Sequence, residues 1–250
     1  MSRARALLSR PTTHDEVFVS SLCRFGESDC IARLFSKSKG RFSAFYKNGL
    51  TSAKRRIGVI QAPSFARASY LEQNNAMRRL VSCDLASHSF NPAQSLKAFA
   101  YANYLAELIE QLLPEEEPAI RVFLSLEQAW LALLNNGPRA EILRAFELKL
   151  LDYCGYLPEW PDEYETSDLN YNPQSGRFVR TDQGVGFVFS KKAVELARAL
   201  LECDVGEYRS EAHEELMMIG RIFVSRLRVL GINNLKSVIF LKEINNYLDH

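Results

Sequence analysis

Residues Ser38–Arg56 read SKGRFSAFYKNGLTSAKRR, with three aromatics, six Lys/Arg and no acid, interrupted at Gly40 and Asn48–Gly49. Phe42, Ala44 and Tyr46 alternate with Arg41, Ser43, Phe45 and Lys47, the period of two that marks a half-buried strand. Such a stretch fits a phosphate-cradling loop, a solvated basic tail, or a strand and loop that touch nucleic acid. A phosphate loop needs Gly-Lys-Ser/Thr running into a helix, and neither follows here. The glycines therefore read as strand punctuation.

The flanking sequence repeats the pattern. DEVFVSSLCRF alternates through Val17, Val19 and Ser21, DCIARLFS follows, and SFARASYLE and MRRLVSCDL add two more short runs, with turn residues between. Short strands joined by basic loops over residues 1–90 fit a small barrel of OB type; an SH3-like barrel or a sandwich fits nearly as well. After Pro92 the period changes to three and four. One amphipathic helix ends at Pro114, a second runs to Asn136–Gly137, and a third, RAEILRAFELKLLDYCG, ends on Gly155. The acidic PEEEP between the first two reads as a turn plus the first turn of the next helix. Ser190 and Ser210 are placed to cap two further helices, and LKSVIFLKEINNYL supplies a last one. GRFVRTDQGVGFVF, Gly176–Phe189, looks like a hairpin inside a polar stretch at about 156–189. The expected fold is α+β and multidomain: an OB barrel over 1–90, then a mostly helical domain over 91–250 with a small β-hairpin insertion.

The net charge of +1 hides an asymmetry, because residues 1–90 hold 15 Lys/Arg against 6 Asp/Glu and the remainder holds 16 against 24. A basic module joined to an acidic one points to a polyanion as partner of the first. No apolar run reaches the length of a transmembrane helix, and MSRARALLSRPT has too short an apolar segment for a secretory leader. A cytoplasmic chain without a membrane role is expected. Five cysteines, odd in number and never two apart by C-x-x-C, argue against a zinc cage or a disulfide framework.

Catalytic signatures are missing: there is no Walker loop, no G-x-G-x-x-G, no H-E-x-x-H and no G-x-S-x-G. His213, beside Glu214 and Glu215, has no partner at i+4 and reads as a solvated helix face. No enzyme and no cofactor are expected. The basic segment is more informative. A strand side that mixes Arg41, Phe45 and Lys47 offers charge for phosphate and a ring for base stacking. Arg33, Lys37 and Lys39 extend it on one side, Lys54, Arg55 and Arg56 continue it in the next loop, and Arg67, Arg78 and Arg79 add to it from later strands. Cations spread in this way suit backbone contacts rather than base reading. A protein partner, or a solvated face of no special role, remains open on composition alone.

Four stretches resemble the bacterial RecO family of DNA repair and recombination mediators. GESDCIARLFSKSKGRFSAFYKNGLTSAKRR is similar to that family's first hairpin and basic loop. YANYLAELIEQLLPEEEP is similar to its Y-x-x-EL helix and the acidic break after it. ILRAFELKLLDYCGYLPEW resembles R-x-FE-x-x-LL followed by GY-P, and LRVLGINNLKSVIFL resembles its closing motif. The resemblance implies a non-catalytic protein that binds single- and double-stranded DNA, anneals complementary strands, and works with RecR to load recombinase on strands coated by single-strand binding protein (SSB). The alternative function is an adaptor whose basic barrel docks an acidic partner. Many family members hold zinc through two C-x-x-C pairs after GY-P. Here Gly155–Gly186 contains no cysteine, so the resemblance implies a metal-free insertion, with Trp160, Tyr164 and Tyr171 as replacement core. It also implies a site for the acidic C-terminal tail of SSB, with Arg144 as its cation. An Arg144 paired to Glu141 or Glu147 fits the helical spacing equally well.

Overall fold

The computed structural model describes residues 11–50, 60–73, 77–86, 95–160, 169–180 and 186–248. Two compact units divide them, one of residues 1–95 and 102–123, the other of residues 96–101 and 124–250.

The first unit is built on β1 (Thr12–Phe25), β2 (Asp29–Ser36), β3 (Gly40–Tyr46), β4 (Ser64–Leu71) and β5 (Arg78–Leu85). They close into a barrel in the order β1-β2-β3-β5-β4. All neighbours are antiparallel except β3 and β5, which run parallel with Phe45 opposite Arg79. That single parallel pair is what a meander-type SH3 barrel lacks, so the barrel is of OB type.

Closure rests on the length of β1. Its first half pairs with β4 and its second half with β2, with a bulge between Val19 and Ser21. The bulge moves the buried set by one residue: Val17 and Val19 face the core, but Leu22 rather than the expected Ser21 follows them inward. Phe42, Ala44 and Tyr46 of β3 are buried as their alternation requires, against Leu34, Ala68, Tyr70 and Leu80. A second apolar layer lies outside the barrel, where Phe35 and Phe65 pack on Phe123 at ring separations of 5.5 and 5.7 Å.

Gly40 has φ +76°, and a Cβ there would overlap the carbonyl of Glu117. The acidic segment 115–117 is thus laid along the start of β3, with the Glu116 amide donating to the Arg41 carbonyl at 2.8 Å. PEEEP was expected to open the next helix. Instead that helix begins at Ile120 without an acid in its first turn, and the glutamates serve the barrel.

Six helices are described: α1 (Leu96–Leu112), α2 (Ile120–Asn136), α3 (Ala140–Tyr153), α4 (Lys191–Glu202), α5 (His213–Val229) and α6 (Lys236–Leu248). In the second unit α3 is central and packs on α4 and α5; Ile142, Phe146, Leu150 and Leu151 are buried on it, and so are Glu141 and Glu147. Ser190 caps α4, its hydroxyl accepting from the Ala193 amide. Ser210 does not cap α5, which starts at His213 with Ala212 in the capping position; its hydroxyl accepts from the Ala212 amide instead.

Between α3 and α4 lie β6 (Leu169–Asn172), β7 (Arg177–Arg180) and β8 (Phe187–Phe189), in the order β7-β6-β8. The insertion contains a hairpin, but between β6 and β7; the two strands of GRFVRTDQGVGFVF flank β6 and do not pair with each other. Its core is aromatic. Trp160 stacks on Phe178 at 5.1 Å, and Tyr171 packs between Phe178 and Phe187. Tyr164 lies outside the described residues.

Candidate nucleic-acid interface

The cations of the first unit fall into two sets. Arg41 and Arg78 are used inside it. The Arg41 guanidinium donates to the carbonyls of Ile109, Glu110 and Leu113 at the C-terminal end of α1, and lies 3.6 Å from Glu115. Cations suit that end of a helix, where carbonyls lack partners. Arg41 therefore shares a strand side with Phe45 but does not face solvent with it, as the alternation alone suggested; its side chain is only 16% exposed.

Arg78 has its guanidinium 4.5 Å above the Phe42 ring and paired with Glu72 at 2.8 Å and with Glu116. The hydrogen bond to Glu116 raises its pKa further above the ordinary value. Arg33 is more open, but donates to Glu110 at 2.6 Å, and the same carboxylate accepts from Ser20. Lys37 stands 3.9 Å from Glu16. Arg67 is exposed on β4 but has Glu16 and Asp84 as its cross-strand neighbours, beside a 530 Å³ depression lined by His14 and Asp15.

Lys39, Lys47 and Arg79 carry no ion pair among the described residues. Lys39 sits in the β2–β3 turn, while Lys47 and Arg79 gather near Phe45. The Phe45 ring meets Phe25 edge-to-face, centroids 5.8 Å apart at 87°, and Phe25 is 58% exposed. Hydrogen bonds draw the surrounding loops together. Ser28 bonds Asn48 at 3.1 Å, the Asn48 amide donates to Asp29 at 2.7 Å, and the Leu50 amide donates to the Ser28 carbonyl at 3.0 Å. The β1–β2 turn and the chain leaving β3 thus form one edge, which holds Phe25, Phe45 and Lys47 together. Lys54, Arg55 and Arg56 follow that edge in sequence and lie outside the described residues.

Phe25 was missed in the sequence. The bulge after Val19 changes which residues of β1 point outward, and no local pattern announces a bulge. The signal lay across the turn: Cys23 pairs with Ile31, so Phe25 shares the outward side of Ile31 and Phe45.

The second unit carries a groove of about 1090 Å³ between α3, α5, the β6–β7 turn and Phe187. Met217, Val224 and Val229 are exposed along it, and Arg144, Arg221 and Arg228 line it. Arg144 also pairs with the buried Glu147 at 2.8 Å, one of the two partners its helical spacing offered. Gly220 makes room for it, because a Cβ there would run into the Arg144 guanidinium. Burial pushes the Tyr101 hydroxyl upward in pKa, against the opposing effect of Arg144.

A closed OB barrel with an exposed ring-and-cation edge, followed by a helical unit with an apolar, arginine-lined groove, defines a two-unit OB-fold protein. The family model described as recombination protein O C terminal matches residues 93–221, and the chain belongs to that family. It is similar to proteins named DNA repair protein RecO. That of Pelotomaculum thermopropionicum is 35% identical over 134 residues, 53% of this chain and 51% of the relative. That of Syntrophus aciditrophicus is 29% identical over 154 residues, 60% and 58% of the two chains. The chain thus spans little more than half the length of the curated relatives it matches.

Proposed function

We propose that this chain is a non-catalytic DNA repair and homologous recombination mediator working in the bacterial cytoplasm at the nucleoid. It binds single- and double-stranded DNA on the barrel of residues 1–90, anneals complementary strands, and with RecR helps to load recombinase on SSB-coated DNA. The observation that carries the proposal is the edge where Lys47 and Arg79, unpaired among the described residues, flank Phe45. Annealing asks for no covalent chemistry. It asks for cations that screen two phosphate backbones from each other, a task this proposal also assigns to Lys39, at the other end of β3, and to Lys54, Arg55 and Arg56, which follow the edge in sequence. Family membership and the names of the relatives support the same reading.

The second unit, of residues 96–101 and 124–250, takes the protein partners in this proposal. The acidic C-terminal tail of SSB fits a groove with an apolar floor and Arg144 at its wall, where a terminal carboxylate would find a cation. One observation favours the adaptor alternative. Arg33, Lys37, Arg41 and Arg78 are already matched by glutamates, which lowers the free positive charge of the barrel.

A nucleotide-free assay of complementary-strand annealing, run across a salt series, separates the two. Acceleration that fades with salt is expected. Capture of RecR or of the SSB tail with no annealing at any salt would leave the adaptor reading in its place.

A further inference from the structure

Among the described residues Phe25 is the most exposed of the large apolar side chains on the barrel. The turn after it is braced by Arg24, whose guanidinium donates to the carbonyls of Gly26 at 3.1 Å and Glu27 at 3.2 Å. Gly26 takes φ +70°, which lets the turn reverse tightly. Asp29, opposite Phe25 across the strand pair, is engaged by the Asn48 amide and the Ser28 hydroxyl, while Glu27 lies exposed in the turn. On the other side the ring meets that of Phe45, which has Arg79 as its cross-strand neighbour. Two perpendicular rings 5.8 Å apart cannot hold a base between them. They form a corner in which Phe25 is 58% exposed and Phe45 braces it.

We infer that Phe25, buttressed by Phe45, is a base-stacking platform that makes this edge of the barrel select single-stranded over double-stranded nucleic acid. The inference rests on the reading of the barrel as a DNA-binding unit, and adds to it a residue and a strand preference. Lys47 and Arg79 attract phosphates of either form, since charge does not distinguish them. An aromatic platform does distinguish them. Unstacked bases offer their faces freely, whereas a duplex must first unstack a base, at a cost of a few kcal/mol. A ring so exposed, next to a braced turn and beside cations unpaired among the described residues, suits that occupant by charge and by shape. An acidic protein would use the cations but has little use for an exposed ring.

The test uses the full chain, with dye-labelled oligo(dT) and a mixed-sequence duplex in the same buffer, read by fluorescence anisotropy. F25A should weaken oligo(dT) binding by roughly 5- to 150-fold, the range for losing one base–aromatic stack, and change duplex binding by less than about twofold. F25W should bind oligo(dT) at least as well as Phe25 does, and its added indole emission should be quenched by oligo(dT) but not by duplex. Thermal unfolding of both variants identifies a folding defect, and the quenching of F25W still decides the matter if F25A proves unstable. Equal losses on both DNA forms, no loss on oligo(dT), or an unquenched indole would overturn the platform while leaving DNA binding intact. If F25A turned a self-associating chain into a monomer with unchanged DNA affinity, the ring pair would be a contact between copies, and the inference would also fail. A wild-type chain that binds neither DNA defeats the underlying proposal instead.

Discussion

Arg78 and Arg79 are adjacent on β5, yet the fold gives them opposite tasks, and substituting each by alanine separates structure from binding. Arg78 is 14% exposed, is bonded to Glu72 and Glu116, and lies over Phe42. Because those glutamates are 42% and 55% exposed, each pair is worth about 0.5–1 kcal/mol rather than the value of a buried pair. The contact over Phe42, including the packing of the arginine stem, adds about 0.5–2 kcal/mol. R78A should therefore destabilise the barrel by about 2–4 kcal/mol, a fall on the order of 10 °C in its melting temperature. Arg79 is half-buried beside Phe45 with no ion pair among the described residues, so R79A should stay within about 0.5 kcal/mol. Oligonucleotide binding should show the reverse. R79A should reduce the slope of log K against log salt by about 0.7 on single strands, and R78A, assayed below its melting temperature, should leave it unchanged. Calorimetry and anisotropy on the two proteins provide the comparison. A stable R78A with a flattened salt slope would refute the division of these arginines.

Other substitutions test the same architecture. G40A should cost more than about 2 kcal/mol by urea unfolding, since its Cβ meets backbone rather than a movable side chain and its φ is positive. G220A pushes the Arg144 guanidinium from its place beside the buried Glu147; it should lower the melting temperature and, assayed below it, weaken binding of an SSB-tail peptide about tenfold by calorimetry, roughly the worth of one charge-assisted contact. The barrel should also weaken in alkali. Burial pushes the Cys83 thiol from 9.0 to about 12 and the Tyr70 hydroxyl from 10.0 to about 12. Above pH 9 the unfolded chain releases a proton that the folded chain keeps, so stability is full below pH 9 and falls from there towards pH 12. Urea midpoints between pH 8 and 11 should show that fall, and C83A should flatten its first part.

What was legible in the sequence follows the range over which its signals act. The alternation of Phe42, Ala44 and Tyr46 against Arg41, Phe45 and Lys47 survived because a strand with one buried face fixes its own register. Helix positions survived for the same reason, down to the cap at Ser190. The employment of Arg41 and Arg78 was hidden, because their partners at 109–116 lie far along the chain and PEEEP carries an equally good local reading as a helix start. The pairing within β6, β7 and β8 was hidden similarly: the middle strand precedes the two whose sequence resembled a hairpin. Phe25 needed the bulge at Val19 and the pairing of Cys23 with Ile31, both properties of two strands together. Helical spacing anticipated the pairing of Arg144 with Glu147, whereas Arg221 and Arg228 join Arg144 along the groove only because α5 packs on α3.

The most direct measurement is the salt dependence of oligo(dT) affinity for the wild-type chain and for a variant with Lys47, Arg79, Lys54, Arg55 and Arg56 all changed to Gln. If this edge of the barrel is the DNA contact, wild-type affinity falls steeply between about 50 and 200 mM salt, and the variant loses about 0.7 of slope for each cation that met a phosphate. Equal slopes for the two proteins, with affinity retained, would place DNA elsewhere on the molecule and contradict the assignment.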